Sequence, residues 1–347
     1  MGSRPIALLA FLLALSAGAG EPAVRALVVA GESGEPNFAA NFKDWTQRFH
    51  AVLTGKCGIP AANVAVFMER KDALPGVVKE ASTRENVLKA LAAWETQVHP
   101  GDQAVLVLMG HGSTDAKSAK LCLPGADLSA ADLAAALKKV PTRDVIVIDL
   151  ASASHPFVAP LSHPDRIIVA ATNNPAQGNA TYFAEFFLAA YEKPGADANG
   201  DGKLQLLETF NAAALNCAKW YLRQYFSDGG EWRIEGKQSR ELWKKFYGSI
   251  PEKKMGAPMD PEADDAEPEL GEWGPQWMGR RMCTEFAQLE DNGDKVGSAV
   301  FNNSAFAPVK GVDPGEDGKL AAQTILGMPR GLAGAPVFKE EEKEEKK

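Results

Sequence analysis

Short runs of β-branched apolar residues, each closed by turn-forming residues and separated by segments of helical period, constrain this chain more than any other feature. Val105-Leu106-Val107-Leu108-Met109 runs into Gly110-His111-Gly112, and Val145-Ile146-Val147-Ile148 runs into Asp149-Leu150-Ala151-Ser152-Ala153-Ser154. Such runs predict buried strands of a parallel sheet rather than helix. Further strands are expected at Arg25 to Ala30, Val64 to Phe67 and Ile167 to Ala171. Helices are expected over Asn37 to Leu53, where Phe42, Trp45, Phe49 and Leu53 recur at helical spacing, and over Thr181 to Tyr191. Ser82-Thr83-Arg84-Glu85 and Ser129-Ala130-Ala131-Asp132 each read as a capping box opening a further helix. Strands alternating with helices predict an α/β fold, a mainly parallel sheet covered by helices on both faces. Ligands of such sheets bind at the carboxyl ends of the strands, so His111 and Ser152 are expected to face one crevice.

A His-Gly after one strand, and Ala151-Ser152-Ala153-Ser154-His155 after the next, resemble the caspase and legumain superfamily of cysteine peptidases. The resemblance runs from about Arg25 to about Leu215, and is closest to exported bacterial members with serine in place of the cysteine. In that family the second pattern is Ala-Cys-x-Ser-Gly and its Cys is the nucleophile. Here Ser152 fills the nucleophile place and His155 the Gly place.

That exchange decides the functional expectation. A thiol titrates near ~8.5 and is partly ionised unaided, whereas a serine hydroxyl needs a base in direct contact, itself oriented by a third group. The resemblance implies a histidine set to protonate the leaving group, so Ser152 would be a poor nucleophile. The expectation is therefore a non-catalytic relative acting as a binding or scaffold module, with a peptide or protein ligand in the crevice. The alternative is a peptidase or esterase with Ser152 as nucleophile, His111 as acid and base, and the amides of Gly112 and Ser152 as oxyanion donors. A side chain at His155 next to the nucleophile weighs against it. His155 and His163 sit in two Ser-His-Pro triplets, but with His111 they match no zinc spacing, and His50 and His99 read as surface residues.

A second motif is independent of the first. Asp197-Ala198-Asn199-Gly200-Asp201-Gly202-Lys203-Leu204-Gln205-Leu206-Leu207-Glu208 follows the EF-hand calcium loop place by place. Asp197, Asn199 and Asp201 supply oxygen at the first, third and fifth places, and Gly202 gives the sharp turn. Lys203 offers its backbone carbonyl, Gln205 its side chain or a bridging water, and Glu208 bidentate ligation. The expectation is structural Ca2+. A Gly- and Asp-rich turn without metal is the alternative, because Lys193-Pro194-Gly195 breaks the entering helix and leaves the loop unpaired.

The first residues, a basic Met1-Gly2-Ser3-Arg4, an apolar run to Leu15 and small residues to Gly20, read as a secretory signal peptide with cleavage after Ala19. The protein is then expected to be secreted or periplasmic. No run reaches the ~20 apolar residues of a membrane span. A net charge of -8 excludes a nucleic-acid partner, which needs clustered Lys and Arg. Cys57, Cys122, Cys217 and Cys283 are too sparse for a disulfide framework, and their pairing stays open. The expected organisation is a leader at 1–20, the α/β domain with its calcium loop at 21–228, an irregular extension at 229–337 and a charged tail at 338–347. Within the extension, Asp291-Asn292-Gly293-Asp294 reads as a turn before it reads as a second calcium cluster.

Overall fold

A computed structural model describes residues 21–114, 118–172, 181–227, 285, 287–298 and 317–330, and for 218–227 the backbone. The leader at 1–20, Cys283, the tail at 338–347 and, apart from 285, 287–298 and 317–330, the extension at 229–337 lie outside the described residues.

In chain order the elements are β1 (Val24–Ala30), α1 (Pro36–Ala51), β2 (Val64–Met68), β3 (Glu80–Ala81), α2 (Arg84–Gln97) and β4 (Gln103–Met109). Next come β5 (Gly112–Thr114), β6 (Ala119–Leu121), β7 (Leu128–Ser129), α3 (Ala130–Leu137), β8 (Asp144–Asp149), α4 (Val158–Leu161) and β9 (Arg166–Ala170). α5 (Phe183–Glu192), α6 (Leu206–Ser227) and β10 (Gln288–Glu290) complete the described fold.

The main sheet has seven strands in the order β10-β9-β8-β4-β1-β2-β3, all parallel except β10, which runs antiparallel to β9. The fold is therefore α/β, with the sheet mainly parallel as the apolar runs predict. Its central strands are buried on both faces because two separate cores flank them. On one face Val28, Val107 and Ile148 pack under Trp45 and Phe49 of α1, Phe187 of α5 and Phe210 of α6. On the other Leu106, Val147 and Ile168 pack under Leu91 of α2, Leu133 of α3 and Leu161 of α4. Among the described residues no helix is long and apolar enough to cross a membrane.

Local chemistry sets the helix starts, and one differs from the sequence reading. At α3 the Ser129 hydroxyl accepts the Asp132 amide and the Asp132 carboxylate accepts the Ser129 amide, a complete capping box. At α2 the cap is Thr83, whose hydroxyl accepts the Asn86 amide, and not Ser82. Ser82 is drawn into the sheet edge, where its amide bonds Met68 O and its hydroxyl is buried with no partner among the described residues.

Several features have no counterpart in the sequence reading, β3 and α4 among them. α1 continues through a π-helical turn at Val52–Lys56, β5, β6 and β7 form a small antiparallel sheet, and β10 joins the main sheet from the C-terminal part of the chain.

Candidate functional site

His111 and Ser152 both follow the carboxyl ends of strands, β4 and β8, which are neighbours paired from Gln103 opposite Asp144 to Leu108 opposite Asp149. Parallel pairing in this register brings the two loops to one edge of the sheet. It does not bring imidazole and hydroxyl together. His111 Nε2 lies 3.1 Å from the backbone oxygen of Ser33, in the loop after β1. A carbonyl oxygen only accepts, so Nε2 carries the proton in that contact and Nδ1 is left as the basic atom. The ring is wedged against Phe38 edge-on at 4.7 Å and against Phe42 at 5.4 Å, both on α1.

Ser152 is fully buried. Its hydroxyl accepts the Gly112 amide at 2.9 Å, and its own amide bonds Gly110 O at 3.2 Å. The two amides that a hydrolase would aim at an oxyanion are thus both engaged within the protein. Among the described residues neither an imidazole nor a carboxylate meets the Ser152 hydroxyl. The turn is held by Ala153, buried with φ at 51°, a left-handed conformation that costs an L-residue roughly 1–2 kcal/mol. His155 is half-buried and its amide bonds the Thr172 hydroxyl at 3.0 Å. Its Nδ1 is buried with no partner among the described residues, and burial lowers its pKa.

Asp149, at the end of β8, was not singled out from the sequence. It is wholly buried, one carboxylate oxygen accepts the Ala151 amide at 3.1 Å, and the other has no partner among the described residues. Burial pushes its pKa up to about 7. The signal was its position, an acid closing an uninterrupted apolar run.

Cys122 pairs directly across the small sheet from His111, with its amide on His111 O at 2.9 Å. Burial, then the charge of Asp127, raises its pKa, the reverse of what an activated thiol needs. Among the described residues Cys57, Cys122 and Cys217 form no disulfide with one another, and the Cys217 thiol meets the Glu285 carboxylate at 3.8 Å.

A cavity of about 330 Å³ opens beside His111 at the ends of β1 and β2, lined by Ser33, Phe42, Lys43, Met68 and Glu69. Two acids line it: Asp72 is paired with Arg70, and Glu69 is fixed by the Ser33 amide at 3.1 Å and the Ser33 hydroxyl at 2.7 Å. Ser33 and Phe42 touch both cavity and imidazole, so a ligand there would lie next to His111. Neither Ser33 nor Glu69 stands in a motif, which is why sequence reading passed over them.

In the 197–208 loop the oxygen side chains curl inward. Asp197 accepts the Gly200 and Gly202 amides at 2.8 and 2.9 Å, Asn199 the Asp201 amide at 2.8 Å, and Asp201 the Lys203 amide at 2.8 Å. Glu208 reaches back to the amides of Ala198, Asn199 and Gln205 at 3.0 to 3.1 Å. Gly200 and Gly202 have φ of 71° and 77°, which glycine adopts without strain. The donors are hard oxygens, and those of Asp197 and Asn199 keep a lone pair after accepting an amide, whereas Glu208 Oε1 accepts two amides and would have to release one to bind; the residue types suit Ca2+ chemically. Among the described residues no group of three or more His, Cys, Asp or Glu side chains is gathered as a metal cluster.

No family model and no curated protein matches the chain. Among solved structures, protein GSU0716 of Geobacter sulfurreducens aligns with a TM-score of 0.39 at 15% identity, over 56% of this chain and 88% of that one.

Proposed function

We propose that this protein is an exported, non-catalytic relative of the caspase and legumain peptidases, a binding or scaffold module whose α/β domain carries a calcium-holding loop. One observation carries the reading: the Ser152 hydroxyl is buried on the Gly112 amide while His111 Nε2 is turned to Ser33 O. A serine nucleophile needs its base in direct contact, and here the hydroxyl is taken by a backbone amide and meets no imidazole nitrogen among the described residues. The cavity beside His111 is the place for a peptide segment of a partner.

Asp197, Asn199, Asp201, Gln205 and Glu208, with the Lys203 carbonyl, would hold the ion. When bound it would supply a hard positive centre that these oxygens face, fixing where α6 leaves the loop.

Two measurements test the proposal. The purified protein is exposed to a fluorophosphonate and to peptidyl electrophiles, beside Ser152→Ala. No labelling of either supports the non-catalytic reading, and labelling lost in Ser152→Ala overturns it. For calcium, a higher melting temperature in millimolar CaCl2 that Glu208→Ala abolishes supports the loop assignment. An unchanged melt removes it.

A further inference from the structure

The loop does not stand alone. In paired EF-hands a second loop lies against the first, and here the described segment Thr324–Arg330 takes that place. Gln205, the ninth loop residue, bridges Ile325 in antiparallel fashion, and the Leu206 amide bonds Thr324 O at 2.8 Å. These bonds fix the backbone between Gln205 and Glu208, the last two side chains of the donor set.

The other end of this strap is fastened at the amino ends of the central strands β4 and β8. Gln103, first residue of β4 and fully buried, donates its side-chain amide to Ile325 O at 3.1 Å and Met328 O at 2.9 Å, and accepts the Gly327 amide at 2.8 Å. Arg330 completes the anchor, with its amide and its Nε on the two oxygens of Asp144, at 2.8 and 3.0 Å. The strap lies so close to the domain that a Cβ on Gly327 would come within 2.3 Å of Cys57 O.

We infer that Gln103 is a positioning residue for the calcium loop, acting through the strap. The inference rests on the calcium reading above. A buried glutamine satisfying three backbone groups of one segment holds that segment in one place. Replacing it by leucine strands the Met328 carbonyl and the Gly327 N–H and leaves Ile325 O with the Met328 amide alone, so the strap detaches and the backbone at Gln205 and Leu206 loses its partner. Calcium would then have to order that backbone itself, which weakens binding. By linkage, calcium tightens the strap by the same factor.

The test is isothermal titration of the full chain with CaCl2, comparing wild type with Gln103→Leu and Arg330→Met, after circular dichroism shows which variants fold. The expected result is about tenfold weaker calcium binding in Gln103→Leu, within the range of ordinary coupling energies, and a smaller loss in Arg330→Met. A merely structural Gln103 would lower the melting temperature in EDTA and leave the calcium affinity alone. Unchanged affinity in the folded variants overturns the inference while the calcium site stands. Absence of binding to wild type overturns both. Should Gln103→Leu fail to fold, Arg330→Met decides by the same criterion.

Discussion

Gly112 and Ser152 are locked together twice over: the glycine amide sits on the serine hydroxyl at 2.9 Å, and the space for a Cβ on Gly112 is filled by the Ser152 carbonyl, 1.8 Å away. Glycine is therefore required at position 112 by packing, whatever the chemistry of the crevice. Gly112→Ala should destabilise the fold by about 3 kcal/mol, since the obstacle is backbone that cannot swing aside. Urea unfolding followed by circular dichroism measures it. A loss below about 0.5 kcal/mol would mean that the two loops part easily, and that Ser152 is less firmly held than the contact implies.

The helix α2 offers a direct comparison of two adjacent hydroxyls. Thr83 caps the helix through the Asn86 amide, whereas the Ser82 hydroxyl is buried and unpartnered among the described residues. Thr83→Ala should cost about 1 kcal/mol. Ser82→Ala should be neutral or slightly stabilising, because it removes a buried polar group with nothing to bond. The reverse order in thermal melts would return the cap to Ser82.

These residues also show how far the sequence reaches. The central strands were legible because Val105–Met109 and Val145–Ile148 are apolar on both faces, a pattern that only a doubly covered strand requires. β3, with two residues, and β10, Gln-Leu-Glu, lack such a run, since an edge strand is defined by the neighbour it bonds. The choice between Ser82 and Thr83 depended on which residue the sheet edge claimed, which no local pattern records. At the site, adjacency of the His111 and Ser152 loops followed from the strand ends. The partner of His111 did not, because Ser33 O is a backbone atom contributed by a distant loop.

Asp132 joins two helices. Its carboxylate caps α3 through the Ser129 amide and takes the Arg84 guanidinium at 2.6 and 3.0 Å from the first turn of α2. Arg84 chiefly, helped by Ser129, pulls its pKa down to about 2. A depressed carboxylate stabilises above its unfolded value near ~3.9 and loses that contribution as pH falls through about 2. Asp132→Ala should cost about 1–2 kcal/mol at pH 7, the range of a lost cap plus a half-exposed ion pair. The deficit should shrink in urea titrations at pH 2.5. A deficit that is the same at both pH values would show that the ionised carboxylate is not its source.

Asp149 works in the opposite direction. Burial raises its pKa to about 7, above the unfolded value near ~3.9, with the Ala151 amide opposing only in part. Between these values the unfolded chain has released this proton while the native state still holds it. Native protein binds more protons there, so this group's contribution to stability declines as pH climbs from about 4 to about 7 and is level beyond. The interval corresponds to roughly 4 kcal/mol for a group wholly out of water. Asp317, also raised to about 7 by burial, adds a slope of the same sign. Asp149→Asn keeps an oxygen for the Ala151 amide and never ionises, so it should remove its own share of the change between pH 5 and pH 8, leaving that of Asp317, and gain on wild type at pH 8. Urea unfolding of both proteins at the two pH values checks this. Parallel curves would mean that Asp149 is ionised in the folded protein, with a compensating partner or water at its second oxygen.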